Sequence, residues 1–246
     1  RPLEHGANII VESLTKFIGG HGNSIGGMIV DGGNFDWLAH KAKFPTMASP
    51  QSYYNDMVFG EAFAALPLGP DGSNVNIAFA IAARAFSLRD LGPAMSPMNA
   101  FLIMTGCETL PLRMERHCAN ALTVAKHLSA HPKVSWVRYA GLEGDAHFDR
   151  AKKYLPKGAG AVFTFGLKGG HEAGVKLVEG VKLFSHLANI GDTRSLIIHP
   201  ASTTHSQLTD AQKTAAGAAP DTVRLSVGIE DAADIIADLD QALAAL

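Results

Sequence analysis

Residues 221 to 230 read DTVRLSVGIE, in which Val223, Leu225, Val227 and Ile229 alternate with Arg224, Ser226 and Glu230. A period of two makes a half-buried strand with one apolar face, and it aims Arg224 off that face, as a groove-lining cation would be aimed. The chain then changes period. Over Ala232 to Leu246 the residues Ile235, Ile236, Leu239, Ala242 and Leu243 fall on one helical stripe. A strand with one apolar face, followed at once by a helix with one apolar stripe, restricts the chain to helices packed as a lid on a sheet.

Other elements of the same two kinds lie upstream. Asn8 to Val11 and Gly27 to Val30 are short apolar runs between glycine and polar residues, the pattern of buried strands. Residues 45 to 71 are irregular, with tyrosine and asparagine at Tyr53, Tyr54 and Asn55, and predict a surface loop around one short helix. From Val75 to Leu91 alanine, isoleucine and phenylalanine recur at helical spacing, and Ser96-Pro97 suits the start of a further helix. A long helix is predicted over Leu112 to Ser129, with Cys118, Leu122, Ala125 and Leu128 near one face, ending before His131-Pro132. Strands are predicted at Val134 to Tyr139, Ala161 to Leu167 and Leu196 to Ile198, with a helix over Glu172 to Phe184. The change of texture near residues 106 to 112 predicts a domain boundary there, dividing the chain into 1–106 and 107–246.

Composition narrows the function. The 246 residues can bury roughly three quarters of the unfolded chain's surface, enough for a substantial core. With 21 Lys and Arg against 23 Asp and Glu, no basic excess exists to attract a phosphate backbone, and nucleic acid is not an expected partner. Cys107 and Cys118 lack the close spacing of a metal or disulfide motif, which fits reduced thiols in a cytoplasmic protein. No apolar run approaches the roughly 18 residues of a membrane span. The chain opens Arg1-Pro2-Leu3, without methionine, and we expect it to be the C-terminal part of something longer.

The stretch VESLTKFIGGHG, Val11 to Gly22, holds the most informative lysine. A lysine at a turn is ordinarily a solvated surface charge. Lys16, however, follows directly on a strand-like run, has the hydroxyls of Ser13 and Thr15 close by in sequence, and precedes glycines that let a backbone approach a ligand closely. Hydroxyls beside a lysine suit a phosphate and a carbonyl held at once. Arg224 has an ordinary reading as an ion pair on a strand edge and a functional one as a two-pronged clamp on a carboxylate.

Several other motifs fail. Gly19, Gly20, Gly22, Gly26 and Gly27 do not fit the dinucleotide spacing, and Thr15-Lys16 stands in the wrong order for a nucleotide P-loop. His171-Glu172 lacks a second histidine, and His199 and His205 have no third clustered ligand, so no metal site is expected. No G-x-S-x-G elbow suggests a serine hydrolase.

Four stretches, SLTKFIGGHG at 13–22, ETLPLRMERH at 108–117, NIGDTRSLIIHPASTTHSQL at 189–208 and VRLSVGIE at 223–230, together resemble the Cys/Met-metabolism family of pyridoxal-phosphate enzymes. Within that family they look most like the O-acetylhomoserine sulfhydrylases. The likeness covers essentially the whole chain but only about the last three fifths of such an enzyme. It implies the α/β fold of PLP-dependent transferases of fold type I, the aspartate-aminotransferase-like fold. Residues 1–106 would then end the large cofactor domain and 107–246 form the small C-terminal domain.

By the same resemblance, Lys16 matches the lysine that carries pyridoxal 5'-phosphate as a Schiff base, and Ser13 and Thr15 match hydroxyls that bind its phosphate. Arg224 matches the arginine that grips the substrate α-carboxylate, and Asn189 stands where a small polar residue lies beside that carboxylate. Thr204 and His205 either shape the same cavity or form a capped turn. The implied activity is γ-replacement of acetate by sulfide on O-acetyl-L-homoserine, giving L-homocysteine for methionine biosynthesis. A cystathionine or methionine γ-lyase or γ-synthase shares the lysine and arginine, and a non-catalytic fragment acting in oligomerisation is the reading from a different class. Implied partners are the amino-acid substrate, sulfide or a thiol, the N-terminal portion of the same enzyme and further copies in a dimer or tetramer. The family's pyridine-binding aspartate, ring-stacking tyrosine and glycine-rich phosphate turn lie upstream of the lysine strand and have no counterpart in these residues.

Overall fold

The computed structural model describes residues Arg1–Leu246, which form two compact units. One comprises Arg1–Ser13 and Gly26–Ala100, the other Leu14–Ile25 and Phe101–Leu246. The segment that carries Lys16 therefore belongs to the second unit.

In the first unit, β1 (Ile9–Ser13) and β2 (Gly27–Asp31) pair antiparallel, with Ile9 opposite Asp31 and Ser13 opposite Gly27. The expected strands are present, but they are not buried: Val11 is 75% exposed, Met28 44% and Ile29 56%. A lone two-stranded ribbon has too little sheet to cover both of its faces. Three short helices follow, α1 (Pro45–Ala48), α2 (Phe59–Ala62) and α3 (Ala78–Ala82), the last continuing as a π-helix over Ala83–Arg89. The region expected to be surface loop instead supplies a core. Trp37, Met47 and Phe59 are buried with Ala78, Ala82 and Ala85, and Phe35, Tyr54, Phe63 and Phe86 pack around them. Aromatic rings contribute large buried areas without needing a helical or strand period, so the irregular pattern concealed this core.

Helix α4 (Pro97–Glu108) starts where Ser96-Pro97 predicts, and α5 (Leu110–Ala130) follows almost at once. The second unit is built on a five-stranded sheet of β3 (Val134–Arg138), β4 (Val162–Leu167), β5 (Ser185–His186), β6 (Leu196–Ile198) and β7 (Thr222–Ser226). The order is β3-β4-β7-β6-β5, antiparallel throughout except for the parallel β5–β6 edge pair. Helices α6 (Phe148–Tyr154) and α8 (Asp210–Ala215) are short, whereas α5, α7 (Gly170–Gly180) and α9 (Ala232–Ala244) bring their apolar stripes to the sheet.

That core joins Val124 and Leu128 of α5, Leu177 of α7, and Ile235, Leu239 and Leu243 of α9 to Phe165, Val223 and Leu225 of the strands. Each such side chain contributes about 1.5–3 kcal/mol by leaving water. Strand β7, third in the order, has both edges paired and both faces covered, so it is not the half-buried strand its alternation suggests. Its second face is buried with polar groups satisfied, Ser226 Oγ accepting the Gly191 N–H at 2.9 Å.

Helix α7 also ends earlier than its sequence pattern predicts, at Gly180 rather than Phe184. Asp238 of α9 is the physical reason. Its buried carboxylate accepts the backbone N–H groups of Lys182, Leu183 and Phe184 at 2.8, 2.8 and 3.2 Å, holding those residues in a non-helical turn.

Candidate functional site around Lys16, Asn189 and Arg224

Immediately after β1 the chain makes a tight turn over residues 14–19. The Gly19 N–H donates to Leu14 O at 2.8 Å and the Gly20 N–H to Lys16 O at 2.7 Å. Gly20 has φ of 73°, the left-handed conformation that ends a helical turn and that glycine adopts without a side-chain penalty. The turn leaves Lys16 half-buried, with its ammonium donating to Asn189 Oδ1.

Asn189 is tied in turn to the sheet, since its backbone carbonyl accepts from Arg224 Nη2 at 3.3 Å. Arg224 and Ser226 lie two apart on β7 and so share a face, on which Arg224 holds Asn189 and Ser226 holds Gly191. Gly191, at φ 76°, lies so close to the turn that an added Cβ would stand 2.6 Å from the Phe17 nitrogen. Lys16, Asn189 and Arg224 are thus joined in one hydrogen-bonded series inside the second unit.

Neither Lys16 nor Arg224 is in an ion pair with a carboxylate. Burial lowers the proton affinity of the Arg224 guanidinium, yet an arginine remains charged in a protein. The nearby carboxylate at Asp192 is engaged elsewhere. Burial pushes its pKa up, but the hydrogen bonds and charge of Arg194 outweigh burial and hold it below the usual value. The arrangement therefore offers a primary amine and a guanidinium, both partly desolvated, to an anionic ligand with an electrophilic carbon.

Ser13 is the exposed last residue of β1, and Thr15 is half-buried in the turn beside Lys16. Thr204 Oγ1 and His205 Nδ1 hydrogen-bond each other at 2.9 Å, and the His205 N–H donates to Pro200 O at 2.9 Å, which makes a local turn. No cluster of three or more His, Cys, Asp or Glu is arranged to hold a metal ion. No helix is long and apolar enough to cross a membrane.

Sequence reasoning passed over three buried polar residues of α5, namely Arg113, His117 and Asn120. His117 Nδ1 donates to Val227 O at 2.6 Å, and Asn120 Nδ2 donates to Gly228 O and Glu230 O at 3.1 and 2.7 Å. The available signal was helical spacing. Stepping back from Leu128 through Val124 and Ala121 by threes and fours reaches His117 and Arg113 on the buried stripe. Burial pushes the His117 pKa down, and its Nε2 is buried with no partner.

Known proteins match the chain over nearly its whole length. A family model described as Cys/Met metabolism PLP-dependent enzyme matches residues 1–244. The O-acetyl-L-homoserine sulfhydrylase of Leptospira meyeri is 54% identical over 244 residues, covering 98% of this chain and 54% of that protein. The homocysteine synthase of Schizosaccharomyces pombe is 50% identical over 243 residues, covering 99% and 54%. A crystal structure of a putative O-acetylhomoserine (thiol)-lyase from Campylobacter jejuni, which contains N'-pyridoxyl-lysine-5'-monophosphate, is similar with a TM-score of 0.87. It is 36% identical and covers 99% of this chain and 55% of that one. The chain spans about half the length of the relatives it matches. Its mixed α/β architecture is that of the PLP-dependent fold type I. Agreement of sequence and fold over nearly every residue carries the conclusion that this chain belongs to the Cys/Met metabolism family of PLP-dependent enzymes.

Proposed function

We propose that the chain is the lysine-bearing part of an O-acetyl-L-homoserine sulfhydrylase, which replaces acetate on Cγ of its substrate by sulfide and yields L-homocysteine. The observation that carries this reading is the series Lys16, Asn189, Arg224, in a chain 54% identical to a relative that bears the same activity in its name. The donor set fits pyridoxal phosphate: an amine free of any carboxylate to join the aldehyde, hydroxyls at Ser13 and Thr15 for the phosphate, and a guanidinium with no carboxylate partner for the substrate.

When bound, the cofactor supplies an electron sink that makes the Cα–H bond of an attached amino acid acidic. Arg224 grips the α-carboxylate with Asn189 beside it, and this orients the Cα–H bond for removal. Lys16 would serve as the base: its neutral amine would take the proton from Cα, hand that proton on to become neutral again, and only then take one from Cβ. Asn189 Oδ1 accepts a hydrogen bond from the amine and keeps it near those carbons between transfers. Acetate would leave Cγ with its bonding pair, hydrosulfide would form the new C–S bond at the same carbon, and the Lys16 ammonium would return protons to Cβ and Cα.

Residues 1–106 in this reading end the large cofactor domain and 107–246 form the small one. An N-terminal portion of the same enzyme completes the site, as the half-length match to the relatives supports. The protein acts in the cytoplasm as a dimer or tetramer. Met98, Phe101, Met104 and Leu112, exposed at 63%, 65%, 69% and 70%, supply apolar surface for such contacts.

Borohydride reduction followed by peptide mapping tests the reading, and a cofactor adduct on Lys16 is the expected result. Turnover then separates the chemistries. Acetate released in step with homocysteine is expected in the presence of sulfide, whereas α-ketobutyrate and ammonia formed without sulfide would identify a γ-lyase. An adduct on another lysine would sink the assignment of Lys16.

A further inference from the structure

The ETLPLRMERH stretch has no place in the chemistry above, yet it holds the most extensively bonded buried cation near Lys16. Arg113 is 5% exposed and has no carboxylate partner. Its Nη1 donates to Phe17 O at 2.8 Å and its Nη2 to Ile18 O at 3.1 Å, so it binds the carbonyls of the two residues that follow Lys16. Nη2 also donates to Gly106 O at 2.8 Å and Nε to Thr109 Oγ1 at 3.1 Å, which fixes the guanidinium to the junction of α4 and α5.

The last carbonyls of a helical turn have no partner within the turn and carry partial negative charge. Here every one of them is satisfied. Lys16 O accepts from Gly20 N, Phe17 O and Ile18 O accept from Arg113, and Gly19 O accepts from His21 Nδ1. The guanidinium fills the space where a Cβ on Gly20 would stand. One turn along α5, His117 places its ring edge-on to Phe17 at 5.2 Å between centroids. Residue 17 is therefore held by its backbone through Arg113 and by its ring through His117.

A charge without a counter-ion is costly to bury, so helix packing alone is a poor reason to keep one in this place. We propose that Arg113, supported by His117, is the positioning residue of the cofactor lysine: by capping the turn it fixes the backbone after Lys16 and so the direction in which the amine leaves the chain. This rests on the reading of Lys16 as that lysine. A planar guanidinium can bind two adjacent carbonyls while anchored through Nε. A lysine at the same position retains the charge but not the fork.

The test compares the holoprotein with Arg113→Met, Arg113→Lys and the control Leu128→Ala. Leu128 is fully buried on the same helix, about three turns beyond His117, and makes no hydrogen bond to the turn. Two quantities are followed: amide exchange at Gly19 and Gly20, and the rate at which Lys16 of the stripped protein recaptures pyridoxal phosphate, read as borohydride-trapped adduct. In Arg113→Met, exchange at both glycines should accelerate and capture should slow, each by about tenfold or more. Arg113→Lys should fall between Met and wild type, while Leu128→Ala should lower the melting temperature without altering either rate. Wild-type exchange and capture in Arg113→Met would overturn the proposal, as would equal slowing in Leu128→Ala. Where Arg113→Met does not fold, Arg113→Lys decides: partial deprotection with slower capture supports the proposal, and wild-type values of both overturn it. A wild-type protein with no adduct on Lys16 would remove the cofactor reading itself, which glycine exchange, measured without cofactor, reads separately from the clamp.

Discussion

Arg224 lies half-buried on β7 with no carboxylate beside it and with one hydrogen bond to the carbonyl of Asn189. Replacing its planar fork by a single ammonium should cost one charge-assisted hydrogen bond, about 1.5–3 kcal/mol. If Arg224 holds the substrate and Lys16 the cofactor as proposed, Arg224→Lys raises KM for the amino-acid substrate by roughly ten- to a hundredfold, while borohydride still traps cofactor on Lys16. Steady-state kinetics beside adduct mapping checks this, and loss of the adduct would mean that Arg224 supports the turn rather than the substrate. Arg224 was legible as a candidate because strand alternation separates it from Val223 and Leu225 within a few residues. Lys16 was legible as a candidate from its glycines and hydroxyls. Arg113 and His117 were not, because a polar residue on a helix reads as solvent-facing until the packing partner of that face is known.

Among the elements, the end of α7 depends most on a remote residue. The turn at Lys182–Phe184 has its three N–H groups bound to the carboxylate of Asp238 on α9. Asp238→Ala leaves those donors buried without that acceptor, and about 2–4 kcal/mol of stability should be lost. Urea unfolding should show a lower midpoint with an unchanged slope. Leu239, fully buried next to it, provides a comparison: Leu239→Ala should cost about 2–5 kcal/mol through lost burial and a cavity. The two variants differ in chemistry, so Asp238→Asn should restore part of the loss where no polar substitution restores Leu239. The start of α4 was readable from Ser96-Pro97, and α5 and the β7–α9 pair from periods that arise from the backbone of each segment alone. The early stop of α7 was not, since the residue that enforces it lies 54 to 56 positions away.

For the folded molecule as a whole, buried imidazoles set the response to acid. Burial pushes the pKa values of both His117 and His199 below the usual 6.5. The folded state then binds fewer protons than the unfolded state, so their contribution is complete above pH 6.5 or so and is lost as pH falls below it. Asp192, held below its usual 3.8 by Arg194 despite burial, adds a further loss once pH drops below about 4. Denaturant titrations at stepped pH should show stability falling from pH 7 towards 5, and His117→Gln should make that slope shallower. A stability curve flat over this interval would refute the burial of these rings as neutral groups.

The residues by themselves determined α5, α9 and the strands β3, β4, β6 and β7 of the second unit, the amine at Lys16 and the guanidinium at Arg224. Local spacing selects an extended or helical backbone, and the chemistry of a side chain travels with it. Only the tertiary structure decided which groups meet. Asn189 reaches Lys16 across 173 positions, the segment Leu14–Ile25 joins the unit formed by Phe101–Leu246, and aromatic residues without any period close the core around Trp37 and Phe59. Those outcomes depend on the simultaneous burial of surfaces far apart in the chain and on satisfying every carbonyl they enclose, quantities that no single stretch of sequence contains.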